Sequence, residues 1–94
     1  MVTLVIEHGL AEWSAWKRVF DEHAVSRKEH GCIREELFSA EGDNRTIMNV
    51  MRFADRASAE GFIADPSLAE AMGRAGVTGP PRFTFWDTVE TNEF

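Results

Sequence analysis

"RTIMNVMRF", residues 45–53, is the stretch on which the fold turns. It alternates like a β-strand, in which neighbours point to opposite faces. One set is Ile47, Asn49, Met51 and Phe53; the other is Thr46, Met48, Val50 and Arg52. Both sets are largely apolar, so both faces of this strand need cover. Which set turns inward, and so whether Asn49 or Arg52 is buried, stays open in the sequence.

Just before it, "EGDN" (41–44) supplies turn residues, and "CIREELFSAE" (32–41) reads as its antiparallel partner. Ile33 and Leu37 share a face there, while Cys32 and Phe38 fall out of step, which points to a bulge. The chain opens on another strand, "VTLVIEH" (2–8), ended by Gly9. Val2, Leu4, Ile6 and His8 point one way; Thr3, Val5 and Glu7 point the other. Between these strands, residues 10–31 have helical spacing. Leu10, Trp13, Trp16, Phe20 and Ala24 form a stripe that Arg27 continues and His23 borders, and Gly31 stops the helix.

Past the opening stretch, residues 54–65 read as a short helix capped by Asp55, with Ala59, Phe62 and Ile63 inward. Residues 65–76 read as a second, with Asp65 as cap, Pro66 at the first position and Gly76 as the stop. Leu68, Met72 and Ala75 face inward there. "VTGPP" (77–81) reads as a rigid connection, "RFTFWDTVE" (82–90) as the last strand, and "TNEF" as a loose tail.

The order is β-α-β-β-α-β, a ferredoxin-like α+β pattern in one domain, 1–94. Its antiparallel sheet carries both helical segments on one face, because right-handed crossovers put them on the same side. Val5, Trp86 and half of the opening stretch are then left facing water. A second copy of the same sheet is the simplest cover, giving a homodimer whose two sheets close into a barrel-like core.

The totals narrow the function. The formal charge of −6 disfavours nucleic acid and anionic membrane surfaces. No apolar run is long enough for a membrane helix, and the N-terminal stretch lacks the marks of a signal peptide. The single Cys32 suits a reducing cytoplasm and reads as a packed small side chain. The histidines stand at 8, 23 and 30, with no short ligand pair, and no glycine-rich phosphate loop is present. Neither a metal nor a cofactor is expected.

"EWSAWKRVFDEH" (12–23) and "DPSLAEAMGRAGVTGPPRF" (65–83) resemble the dimeric α+β barrel superfamily, and within it the antibiotic biosynthesis monooxygenase-like proteins. The resemblance spans nearly the whole chain and includes small bacterial proteins described as cyclase-like or monooxygenase-like. It implies a pocket inside each subunit, between sheet and helices, and chemistry that ranges from cofactor-free oxygenases of anthrones and quinols to isomerases and binding-only proteins. Haem-degrading members carry an Asn at the end of strand one, then a Trp and a haem-ligating His. The matching positions here hold His8, Phe62 and Met72, so haem degradation is not implied.

His8 could take a proton from a phenol or enol near neutral pH, or be a strand-end histidine bonded to a backbone carbonyl. His23 and Arg27 could stabilise a developing enolate or peroxide, or reach past the sheet edge to water. A buried Asn49 needs a partner, in a substrate or across a dimer interface. Trp13, Trp16, Phe20, Phe62, Met72 and Trp86 could line a pocket for a small hydrophobic or aromatic ligand, or be plain core. His30 suits the end of a helix. Two classes of function remain: a monooxygenase, isomerase or cyclase that begins with proton abstraction by His8, aided by Arg27 or Asn49, and a non-catalytic ligand-binding or stress-response dimer.

Overall fold

A computed structural model describes all 94 residues, Met1–Phe94. The elements are β1 (Val2–Leu10), α1 (Trp13–Glu22), α2 (Ala24–Glu29), β2 (Cys32–Ser39), β3 (Thr46–Phe53), α3 (Arg56–Ala64), α4 (Pro66–Ala75) and β4 (Val77–Asp87). The four strands form one antiparallel sheet in the order β2-β3-β1-β4, and the helices pack on one face of it. This is the ferredoxin-like α+β architecture the element pattern calls for.

The opening stretch chooses its inner face. Ile47, Asn49, Met51 and Phe53 are buried under the helices, while Met48, Val50 and Arg52 lie half-covered on the other face. On β1, Val2, Leu4, Ile6, His8 and Leu10 alternate inward in the same way. The inner face carries two packed clusters. Leu4, Ile6, Met51, Phe53, Phe62 and Leu68 belong to one; Leu10, Trp16, Val19, Ile47, Ala71 and Ala75 belong to the other. The seam between them follows from the sequence of the two central strands. His8 stands between Ile6 and Leu10 on β1, and Asn49 between Ile47 and Met51 on β3.

Several boundaries differ from expectation. The helix expected over residues 10–31 starts later and is split. Glu12 caps α1 by accepting from the Ser14 and Ala15 N–H groups at 3.1 and 2.7 Å. That leaves Leu10 in β1, paired with Val77, so Gly9 does not end the strand. His23 separates α1 from α2. The residues expected as a rigid connection, 77–81, belong to β4. Their prolines are tolerated because β4 is an edge strand, where a missing N–H faces no partner. There the chain bulges: β4 advances four positions, Thr78 to Arg82, while β1 advances two, Glu7 to Gly9. The extra residues fall opposite His8, and Gly79 takes φ +70.

The bulge expected in β2 is present, between Cys32 and Arg34. It flips Ile33 to the exposed face, whereas Leu37 stays partly buried, so these two do not share a face. The caps hold as expected: Asp55 accepts from Ser58 N and Asp65 from Ser67 N, both at 2.8 Å, and Gly76 ends α4 at φ +80. His30 does more than end a helix. Its Nε2 lies 2.8 Å from Asp65 Oδ2, tying the end of α2 to the start of α4.

Candidate functional site

The seam opens into a pocket between sheet and helices, with about 460 Å³ of empty space when its mouth is counted and about 50 Å³ open to a water-sized sphere. Its floor is the sheet, through Ile6 and His8 of β1 and Asn49 of β3. Trp16, Val19 and Phe20 of α1 make one wall, with His23 and Arg27 just beyond. Phe62 of α3 and Leu68, Ala71, Met72 and Ala75 of α4 make the other. An apolar cavity with a few convergent polar groups is what a small-ligand site requires.

His8 is 8 % exposed. Its Nδ1 lies 2.9 Å from the carbonyl oxygen of Gly9. A carbonyl only accepts, so Nδ1 carries the hydrogen in that bond, and Nε2 of the neutral ring keeps a free lone pair. Burial pushes the imidazole below the usual histidine range, outweighing the opposing effect of the Gly9 carbonyl. His8 is therefore neutral near neutral pH. Its ring leans on Trp16, 5.7 Å between centroids.

Asn49 is 6 % exposed, and its Oδ1 has no hydrogen-bond partner. Register places it diagonally from His8: His8 faces Ile47, and Asn49 is two residues further along β3. Such diagonal positions lie about 7–8 Å apart, close enough for one bound hydroxyl to touch both side chains. A buried, unpaired carbonyl oxygen is costly and marks a place where a hydrogen-bond donor belongs.

Arg27 does not reach out to water, whereas His23 stays partly exposed. Arg27 is 6 % exposed; its Nε donates to Glu35 Oε1 at 2.9 Å and its Nη1 to the carbonyl oxygen of Phe20 at 2.8 Å. His23 Nε2 lies 3.0 Å from Ser67 Oγ. Burial, then the nearby Arg27 charge, holds its imidazole below the usual range.

The structure thus gathers His8, Trp16, Phe20, His23, Arg27, Asn49, Phe62 and Met72 around one cavity. It leaves out two of the expected lining residues. Trp13 packs against Trp16 at 5.5 Å and against the core cluster of Leu10 and Val19, and does not line the pocket. Trp86 is 59 % exposed on the outer sheet face, since strand parity turns Phe83 and Phe85 inward and Trp86 out. There it joins Val5, Met48 and Val50 in a shallow groove. The sequence reading missed Glu35 as the counter-charge of Arg27. Glu35 lies two residues before Leu37 and therefore shares its inward face, and that alternation was the available signal. No group of three or more His, Cys, Asp or Glu is gathered to hold a metal ion. No helix is long and apolar enough to cross a membrane.

No family model and no curated protein sequence matches the chain. Solved structures do. SnoaB, a cofactor-independent oxygenase from Streptomyces nogalater, superposes with a TM-score of 0.80 at 18% identity, over 96% of this chain and 94% of that one. The ActVA-Orf6 monooxygenase of Streptomyces coelicolor, solved with nanaomycin D, gives 0.70 at 16% identity, over 98% and 90%. Rv0793 from Mycobacterium tuberculosis gives 0.70 at 16% identity, over 99% and 100%. The chain has the ferredoxin-like α+β fold of the antibiotic biosynthesis monooxygenase-like proteins.

Proposed function

We propose that this protein is a cofactor-independent oxygenase acting on a small aromatic, polyketide-like substrate that carries a phenolic or enolic hydroxyl. The observation that carries the reading is the pairing of a neutral His8, with Nε2 unpartnered, and an Asn49 whose buried Oδ1 has no partner, both on the floor of an apolar cavity. The substrate hydroxyl gives its proton to His8 Nε2; Asn49 Nδ2 donates a hydrogen bond to the oxyanion that results, and Oδ1 accepts from a further substrate hydroxyl. The electron-rich ring carbon of the anion reacts directly with O₂ to form a carbon–oxygen bond. The proton held on His8 goes to the peroxide oxygen; the hydrogen on the oxygenated ring carbon is then lost as the O–O bond breaks, leaving with the terminal hydroxyl as water, and a quinone remains. Trp16, Phe20, Phe62 and Met72 hold the flat ring and exclude water. Arg27 is occupied by Glu35 and Phe20, so it serves as a wall rather than as the oxyanion donor. The descriptions of SnoaB and of ActVA-Orf6 with its nanaomycin D support this chemistry and this ligand class.

A second copy of the chain is inferred to cover the outer sheet face, where Val5, Met48, Val50 and the exposed Trp86 line a groove bordered by Glu7, Arg82 and Thr84. A cytoplasmic setting fits the single Cys32, whose thiol burial pushes up and keeps protonated.

The test is oxygen uptake with a panel of hydroquinones and anthrones. The protein should consume O₂ with at least one member, and His8→Ala should abolish uptake while ligand binding persists. Turnover without O₂ consumption would make it an isomerase or cyclase using the same base. Binding without any turnover would make it a binding protein, and the oxygenase reading would fall.

A further inference from the structure

We propose that Glu35 is a positioning residue for the pocket: it pins Arg27 as a buried cover over Phe20, and so sets Trp16 against the ring of His8. The inference rests on the base role given to His8 above, although the contacts it uses do not.

Glu35 lies on β2, at the edge of the sheet, opposite Met51 and outside the cavity. It reaches His8 only through others. Its Oε1 accepts from Arg27 Nε at 2.9 Å. Arg27 Nη1 donates to the Phe20 carbonyl at 2.8 Å, one of the four carbonyls that the end of α1 leaves over. The guanidinium carbon stands 3.7 Å above the Phe20 ring centre, and Phe20 stacks on Trp16 at 4.9 Å with 18° between planes. Trp16 then meets His8. The row from edge strand to base is continuous.

Arginine suits the middle of such a row. Its planar fork is fixed by two donors and by one face, which the point charge of a lysine cannot reproduce. Without the Glu35 carboxylate, a guanidinium this buried has no counter-charge, and its flexible stem lets it turn out to water. Phe20 then loses its cover, Trp16 its stack, and His8 part of the wall that keeps it dry. The other ionisable groups facing the cavity are His23 and Arg27 itself; α4 offers only Leu68, Ala71, Met72 and Ala75, and β3 only Asn49.

The test is the titration of the His8 ring by NMR in the substrate-free protein. It is run on Glu35→Ala, Glu35→Gln and Arg27→Lys, with circular dichroism to establish folding. The His8 midpoint should rise by about half a pH unit or more in Glu35→Ala and Arg27→Lys, toward that of a solvated imidazole. Glu35→Gln keeps an oxygen for Nε and should rise by less. A purely structural role for Glu35 would lower the melting temperature and leave the His8 midpoint in place, and that result overturns the proposal. If Glu35→Ala does not fold, an unmoved midpoint in Glu35→Gln and Arg27→Lys overturns it equally. Should His8→Ala keep full oxygen uptake while the His8 midpoint follows residue 35, the base role falls and the positioning role stands.

Discussion

Replacing Asn49 by Leu should make the protein more stable and less able to bind its ligand. The side chain sits between Ile47 and Met51 on β3 and faces Ile6 across the strand pair, all buried. Its Oδ1 has been taken out of water and has no partner. Such an orphaned acceptor costs about 1–3 kcal/mol. Leucine is close in size and apolar, so it removes the cost without opening a void. A net gain of roughly 1–2 kcal/mol is expected. For a domain of this length that corresponds to a rise in melting temperature of about 4–15 °C. Binding of a hydroquinone ligand should weaken by about tenfold, the worth of one hydrogen bond. The assay is thermal melting at matched protein concentration, because association also shifts the midpoint, followed by titration calorimetry. A lower melting temperature together with undiminished ligand binding would refute the reasoning, since the amide would then be a satisfied structural group.

Acid should weaken the fold through two of its histidines. His8 and His23 are both held below the ordinary value of 6.5 by burial, so the unfolded chain binds protons that the folded chain refuses. Their contribution is fully present above 6.5 and is lost as the pH falls through the folded values, so urea midpoints should decline below 6.5, and less so in His8→Asn. Gly76→Ala should cost about 1 kcal/mol, read as a melting temperature lower by roughly 4–8 °C, because alanine resists the left-handed φ of +80 that ends α4. Val50→Asp, on the outer sheet face, should convert a dimer into single chains in sedimentation velocity and leave β3 otherwise intact.

Much of the fold was legible because the signals were local and strong. Two-residue alternation marked β1 and β3, and Asp55, Asp65 and Gly76 punctuated the helices as their chemistry requires. The errors came where tertiary structure decides. Glu12 can cap a helix only where the chain turns off the sheet, so Leu10 read as helical. A Pro-Pro pair reads as a loop until one knows that its strand is at the edge. The inward row on β3 could not be chosen from the stretch itself, since both rows are apolar; packing under the helices chose Asn49. Of the site, His8 and Asn49 were legible as polar breaks in apolar rows. Glu35 was not, because an acidic pair reads as solvated even though alternation puts Glu35 on the inward face of Leu37, and Trp86 and Trp13 were overvalued because aromatic character alone does not say which way a ring points.

The proposed chemistry depends on the form of one imidazole. A long-range ¹H–¹⁵N correlation spectrum of His8 near neutral pH reads it directly. The ring should be neutral with its hydrogen on Nδ1, and the Nε2 resonance should move when a phenolic ligand is added. A hydrogen on Nε2, or a ring that does not respond to the ligand, would contradict the assignment of His8 as the base of this pocket.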